Sequence, residues 1–139
     1  MAPNFQTSIK VRFGDCDPAG IMYFPSLYHY CHVAFEDSWT ESFGISYPDL
    51  YARDRLGFPT VHVETDFWAP VRYGDVVDFT VWISRVGYSS VVFEFRGHVG
   101  SKQVLRSSHT KVCTDLDTMT KRQIPDALRA RFEALSGGS

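Results

Sequence analysis

Two carboxylates lie one residue apart in the stretch Phe13-Gly14-Asp15-Cys16-Asp17-Pro18-Ala19-Gly20-Ile21-Met22-Tyr23-Phe24-Pro25. Glycines, a proline and both aspartates crowd residues 14–20, which marks a shaped loop. Pro25, just behind it, suits the first turn of a helix. The loop therefore sets Asp15 and Asp17 ahead of a helix N-terminus. Unpaired N–H groups and partial positive charge at such an end can hold an oxyanion. A carboxylate beside it can act as nucleophile or general base. The same spacing also suits two aspartates that only cap turns, and spacing alone leaves both readings open.

Other chemistry-bearing residues offer less. His29, His32 and Glu36 fall on the expected helix, with His32 and Glu36 on one face. No Cys/His cluster completes a ligand set around them, so neither a metal nor a cofactor is expected. His62, His98 and His109 sit on expected strands without an identifiable partner. There is no GxSxG, GxGxxG or P-loop string. Cys16 lies between the two aspartates with no base beside it, and reads as loop packing.

The elements that must carry these residues follow from periodicity. Ile9, Val11 and Phe13 alternate with polar neighbours, so a half-buried strand is expected over Ser8 to Phe13. A long helix follows from Pro25 or Ser26 to Phe43. Leu27, Tyr30, Cys31, Ala34, Phe35, Ser38, Trp39 and Phe43 form its inward stripe, and Gly44 stops it. A short helix fits Pro48 to Asp54. Alternation then predicts strands over 61–67, 77–84, 91–99 and 104–114, broken by Tyr73-Gly74-Asp75, Gly87-Tyr88-Ser89-Ser90 and Gly100-Ser101-Lys102. Pro125 opens a last helix with Leu128, Phe132 and Leu135 inward. Tight turns make consecutive strands antiparallel. One long helix with one sheet to cover it implies an α+β fold in which a curved antiparallel sheet wraps the helix. Residues 1–135 form the single domain and 136–139 a flexible tail.

The balance of 14 basic and 16 acidic side chains gives a net charge of −2, which argues against nucleic-acid binding. No 18-residue apolar run exists to cross a membrane, and residues 1–10 show no signal peptide. Cys16, Cys31 and Cys113 form neither a disulfide framework nor a CxxC site, so reduced thiols and a cytoplasmic setting are expected. Aromatic residues make up 15% of the chain, enough to line a flat pocket as well as fill a core.

The string from Phe13 to Pro25 closely resembles the active-site loop of 4-hydroxybenzoyl-CoA thioesterases, members of the hotdog-fold acyl-CoA thioesterase superfamily. The helix with Tyr28, Phe35 and Glu36 resembles that family's central helix. Gly57-Phe58-Pro59-Thr60-Val61-His62-Val63-Glu64-Thr65-Asp66-Phe67 resembles its second strand, and Tyr73-Gly74-Asp75 the start of its next. The likeness covers roughly residues 8 to 115 and implies the hotdog fold. It also implies hydrolysis of an acyl-CoA thioester to the free acid and CoA, within aromatic-compound degradation.

In that resemblance Asp17 stands at the catalytic carboxylate, attacking the thioester carbonyl or activating water. The backbone N–H of Phe24 stands where the carbonyl is polarised. Gly20, Ile21, Met22 and Tyr23 would wall the acyl pocket, with Pro59 and Thr60 contributed by a partner chain. His32 stands where the 4-hydroxybenzoyl enzyme places an Asp against the ring hydroxyl. That departure leaves benzoyl, aminobenzoyl or other hydroxybenzoyl groups as expected substrates. The basic run that grips CoA in the 4-hydroxybenzoyl type is replaced by a turn where only Arg85, Ser89 and Ser90 offer phosphate contacts. Glu36 is the runner-up for Asp17, because a sister group uses a helix-borne Glu. The implied assembly is a dimer or a dimer of dimers, a homotetramer. The rivals are an aliphatic acyl-CoA or acyl-carrier-protein thioesterase and a non-catalytic acyl-thioester-binding module.

Overall fold

A computed structural model describes residues 4–136 of the chain, so the expected tail lies, except for Ser136, outside the described residues. The elements are β1 (Phe5–Lys10), α1 (Phe24–Ser38), α2 (Tyr47–Ala52), β2 (Leu56–Gly57), β3 (Thr60–Phe67), β4 (Val76–Val86), β5 (Ser90–Val99), β6 (Lys102–Val112), β7 (Thr114–Asp115), β8 (Thr120–Lys121) and α3 (Asp126–Ala134). The main sheet has strand order β1-β4-β5-β6-β3, with antiparallel neighbours throughout. A small sheet of order β2-β7-β8 sits beside it.

The stripe expected on α1 is the buried one: Leu27, Tyr30, Cys31, Ala34, Phe35 and Ser38 all face inward. They meet the inner positions of the sheet, among them Val77, Phe79, Val81, Ile83, Phe93 and Phe95. Phe35 anchors the contact, with ring centroids 4.9 Å from Phe93, 5.1 Å from Tyr47 and 5.9 Å from Trp39. Each fully buried aromatic of this kind contributes about 1.5–3 kcal/mol. After Ser38 the helix widens into a π-turn, Trp39–Phe43, which presents Trp39 and Phe43 to Phe132 of α3. Gly44 ends it at φ 74°, the left-handed conformation that favours glycine.

Two local expectations are corrected. The first strand is β1, which starts and ends three residues earlier than its alternation suggested. Val11 stays in the core, bonding through its N–H to the Asp75 carbonyl at 2.8 Å, but a 3₁₀ turn over Phe13–Asp15 throws Phe13 out to 79% exposure. The loop's own turn geometry overrides the strand period there. β3 has the expected alternation but no buried face: it is an edge strand paired only with β6, and a bulge interrupts it between Thr60 and His62.

Candidate active site

The loop before α1 folds into a small closed ring. Cys16 and Met22 form an isolated antiparallel bridge, and the Asp17 N–H donates to the Ile21 carbonyl at 2.9 Å. Gly20 turns the chain at φ 79°. The Asp17 carboxylate is half-buried over this ring. Its Oδ1 accepts the N–H groups of Ala19 at 2.9 Å and Ile21 at 3.3 Å. Oδ2 takes no hydrogen bond among the described residues. One oxygen is therefore fixed by backbone, and the other is left to react.

Asp15 has a different position. Its Oδ2 accepts the Tyr30 hydroxyl at 2.7 Å, and Tyr30 Oη accepts the Arg12 N–H at 3.1 Å. Burial, reinforced by the neighbouring Asp15 carboxylate, raises the Tyr30 pKa and keeps the phenol a donor. Asp15 is thus tied to α1 and shapes the loop. The Tyr23 N–H closes the loop onto the Asp15 carbonyl at 2.8 Å.

α1 begins directly behind, with Tyr23 as N-cap and no side-chain cap bond. Phe24 is its first residue, so the Phe24 N–H has no intrahelical acceptor, and Pro25 beside it has no N–H at all. The result is a carboxylate oxygen and an uncapped helix end on one short loop. Nucleophilic or general-base attack on a carbonyl needs such a pair.

The remaining expected residues divide. Gly20 and Tyr23 are exposed beside Asp17, and Ile21 is half-buried there. Met22 is in the core at 4% exposure, its N–H on the Val71 carbonyl, so it cannot wall an open pocket. His32 lies two turns along α1, its Nε2 3.7 Å from Glu36 Oε1, with both side chains about half exposed. Burial lowers the His32 pKa, against the pull of Glu36. Thr60 opens β3 against Lys111, whose ammonium donates to its Oγ1 at 2.7 Å and whose charge acts on His32, and Pro59 precedes it with its carbonyl on the Val112 N–H.

Arg85, Ser89 and Ser90 are not brought to the loop within one chain. They sit at the far end of β4, whose start pairs with Lys10. At roughly 3.3 Å rise per residue Arg85 is about 30 Å from Val76. Arg129 of α3 instead holds that turn, donating to the Gly87 carbonyl at 2.8 Å. The cations flanking the loop are Arg12 and Arg72, both exposed, and Arg72 bridges to Ile21.

The structure adds a row that periodicity did not reveal. Ser107, His109 and Lys111 point inward from β6 and are buried. Ser107 Oγ bonds Thr65 Oγ1 at 2.7 Å and His109 Nε2 at 2.8 Å. Burial and the Lys111 charge push the His109 pKa down to about 4. Burial pushes Lys111 down to about 8 and Cys31, opposite it on α1, up to about 12. The signal was polar residues at every second position of the last long strand, where its neighbours carry Phe and Val.

A model of the family described as the thioesterase-like superfamily matches residues 11–132. A 1,4-dihydroxy-2-naphthoyl-CoA hydrolase of Synechococcus sp. (strain WH7803) is 31% identical, over 90% of this chain and 86% of that protein. The crystal structure of a thioesterase superfamily protein from Jannaschia sp. CCS1 superposes with a TM-score of 0.87 at 30% identity, over 93% of this chain and 90% of the other. The 4-hydroxybenzoyl CoA thioesterase of Pseudomonas sp. strain CBS-3 shares the fold, with a TM-score of 0.84 at 20% identity over 94% and 99% of the two chains.

Proposed function

The chain belongs to the thioesterase-like superfamily, and from that premise we propose that it hydrolyses an aromatic acyl-CoA, with Asp17 as the reacting carboxylate. It is an acyl-CoA thioesterase with the hotdog fold. The observation that carries the catalytic reading is the Asp17 carboxylate, held through Oδ1 alone on the loop that leads into the uncapped start of α1. The aromatic reading rests on the relatives that act on a naphthoyl-CoA and on the rings of Phe24, Tyr28 and Phe67 gathered behind that loop.

Two routes fit. In the first, Asp17 Oδ2 adds to the thioester carbonyl carbon. The Phe24 N–H donates to the developing oxyanion, and collapse breaks the C–S bond. CoA leaves as a thiolate, and water then hydrolyses the acyl-aspartyl anhydride, restoring the carboxylate. In the second, Asp17 accepts a proton from water while that water attacks. Both need the same donor and the same carboxylate. Glu36 is a weaker candidate, because it lies three helical turns from the Phe24 N–H and faces His32.

The assembly is a homo-oligomer, a dimer or a dimer of dimers. β3 presents an unpaired outer edge together with exposed Val61, Val63 and Phe67, a surface that a second copy would cover. A partner also offers the means of bringing Arg85, Ser89 and Ser90 to CoA bound at the loop. No helix among the described residues is long and apolar enough to cross a membrane. The free thiols of Cys16, Cys31 and Cys113 support a cytoplasmic setting.

The test is hydrolysis of a panel of benzoyl-, hydroxybenzoyl-, aminobenzoyl-, hydroxynaphthoyl- and aliphatic acyl-CoA esters, followed through the released thiol. Asp17→Asn is expected to lower kcat at least about 10³-fold with little change in substrate binding. Aliphatic esters cleaved faster than aromatic ones would overturn the aromatic reading alone. Asp17→Asn with near wild-type turnover would overturn the catalytic assignment.

A further inference from the structure

We propose that the Lys111 ammonium is a specificity-determining group that selects acyl groups carrying an ionised oxygen, a phenolate or enolate, at the end far from the thioester. This rests on the thioesterase reading above and adds to it the charge of the preferred substrate. Lys111 is 2% exposed on the inner face of β6. Its Nζ donates to Thr60 Oγ1 at 2.7 Å and lies 4.0 Å over the Phe35 ring. A third N–H has no acceptor among the described residues, and no carboxylate among them comes within ion-pair distance. The ionisable groups facing it are Cys31 and His32 of α1 and His109 of its own strand. None of these supplies an anion: the Cys31 thiol is held protonated, and burial favours neutral His32 and His109.

Burying an ammonium without an anion is costly, and the usual remedy is a paired carboxylate. The fold supplies none, yet keeps the charge, since burial lowers the Lys111 pKa only to about 8. A ligand can provide the missing anion because this cation is one hydrogen bond from the surface. Thr60 and His32 above it are exposed. Phe24 of α1 and Phe67 of β3 meet and are both exposed, so the strip between the two elements reaches solvent. Rings line that strip in sequence. Phe24 lies 6.1 Å from Phe67, Phe67 6.3 Å from Tyr28, and Tyr28 6.1 Å from His109, the residue before Lys111 on the same face of β6. The strip therefore runs from the proposed carbonyl donor at Phe24 to the ammonium.

Residues 24 and 32 are about 12 Å apart along the helix axis at 1.5 Å per residue, so the Phe24 donor and the ammonium lie toward opposite ends of the strip. A neutral aliphatic chain there would leave the charge unmatched.

The test is equilibrium binding of benzoyl-CoA and 4-hydroxybenzoyl-CoA to full-length protein carrying Asp17→Asn, alone and combined with Lys111→Met or Lys111→Gln. Both double variants should weaken 4-hydroxybenzoyl-CoA at least tenfold and benzoyl-CoA less than twofold. The red-shifted phenolate absorbance of the bound hydroxy ester should be present in the single variant and absent from both doubles. Equal weakening of the two esters, no weakening of either, or a phenol spectrum in the single variant would overturn the proposal. Binding reads out without turnover, so an inactive enzyme that still discriminates the two esters through Lys111 would refute the thioesterase reading and leave this one standing.

Discussion

At the scale of single residues, the two aspartates of the loop are separated by their partners rather than by their own chemistry. Asp15 is spent on Tyr30, and Asp17 keeps one oxygen free. The string alone could nominate Asp17 only by resemblance, because both residues are carboxylates in the same turn. His109 was legible as a strand histidine and nothing more. Its burial against Phe95 at 4.6 Å and beside Lys111 makes it a group the folded protein holds neutral. That has a consequence for acid stability. The unfolded chain protonates His109 near pH 6.5, the folded chain only near pH 4. Between those values the unfolded state binds more protons, so stability falls as pH drops from about 6.5 to about 4 and is unaffected by this group above 6.5. At about 1.4 kcal/mol per pKa unit the loss reaches about 3 kcal/mol. Urea midpoints at pH 7 and pH 4.5 check it, and His109→Gln should flatten the difference.

At the scale of elements, periodicity read the interior well and the margins poorly. α1 and the strands β4 and β5 carry long apolar stripes, and the buried faces are those the stripes nominate. β3 shows the same alternation, but it has a neighbour on one side only, so the pattern did not translate into burial. The inner row of β6 escaped notice because serine, histidine and lysine there do not look like a core. The stop at Gly44 was legible, since a left-handed end needs a residue without a Cβ. Gly44→Ala should cost about 1 kcal/mol, seen as a melting temperature lower by a few degrees, with the fold retained. The guanidinium of Arg131, 3.5 Å from where the new Cβ would stand, is the flexible end of a side chain and can yield.

At the scale of the whole molecule, one sheet around one helix followed from counting: a single long apolar helix and enough strands to cover it. What counting could not supply is distance. The loop with Asp17 and the turn with Arg85 lie at opposite ends of β4, and the proposed assembly is what would unite them. If β3 is the joining edge, then Val61→Arg, at the exposed bulge of that strand, should shift the sedimenting species toward monomer and lower kcat/KM for CoA esters in step. A monomeric variant with full activity would show that each chain is complete alone.

The proposed oxyanion donor is a main-chain N–H, and that has a consequence for inheritance. Nineteen of the twenty encoded residues at position 24 carry the same donor, so random substitution there can alter the ring strip while leaving the carbonyl contact intact. Only a proline codon deletes it. Proline is also well tolerated where Phe24 stands, at the opening of α1. Phe24→Pro should therefore yield a protein that melts near the wild-type temperature and turns over at least about 10²-fold more slowly, whereas Phe24→Leu should keep its kcat. Proline lies two base changes from either phenylalanine codon, so no single change deletes the donor, and selection on single changes at this position falls on the ring alone.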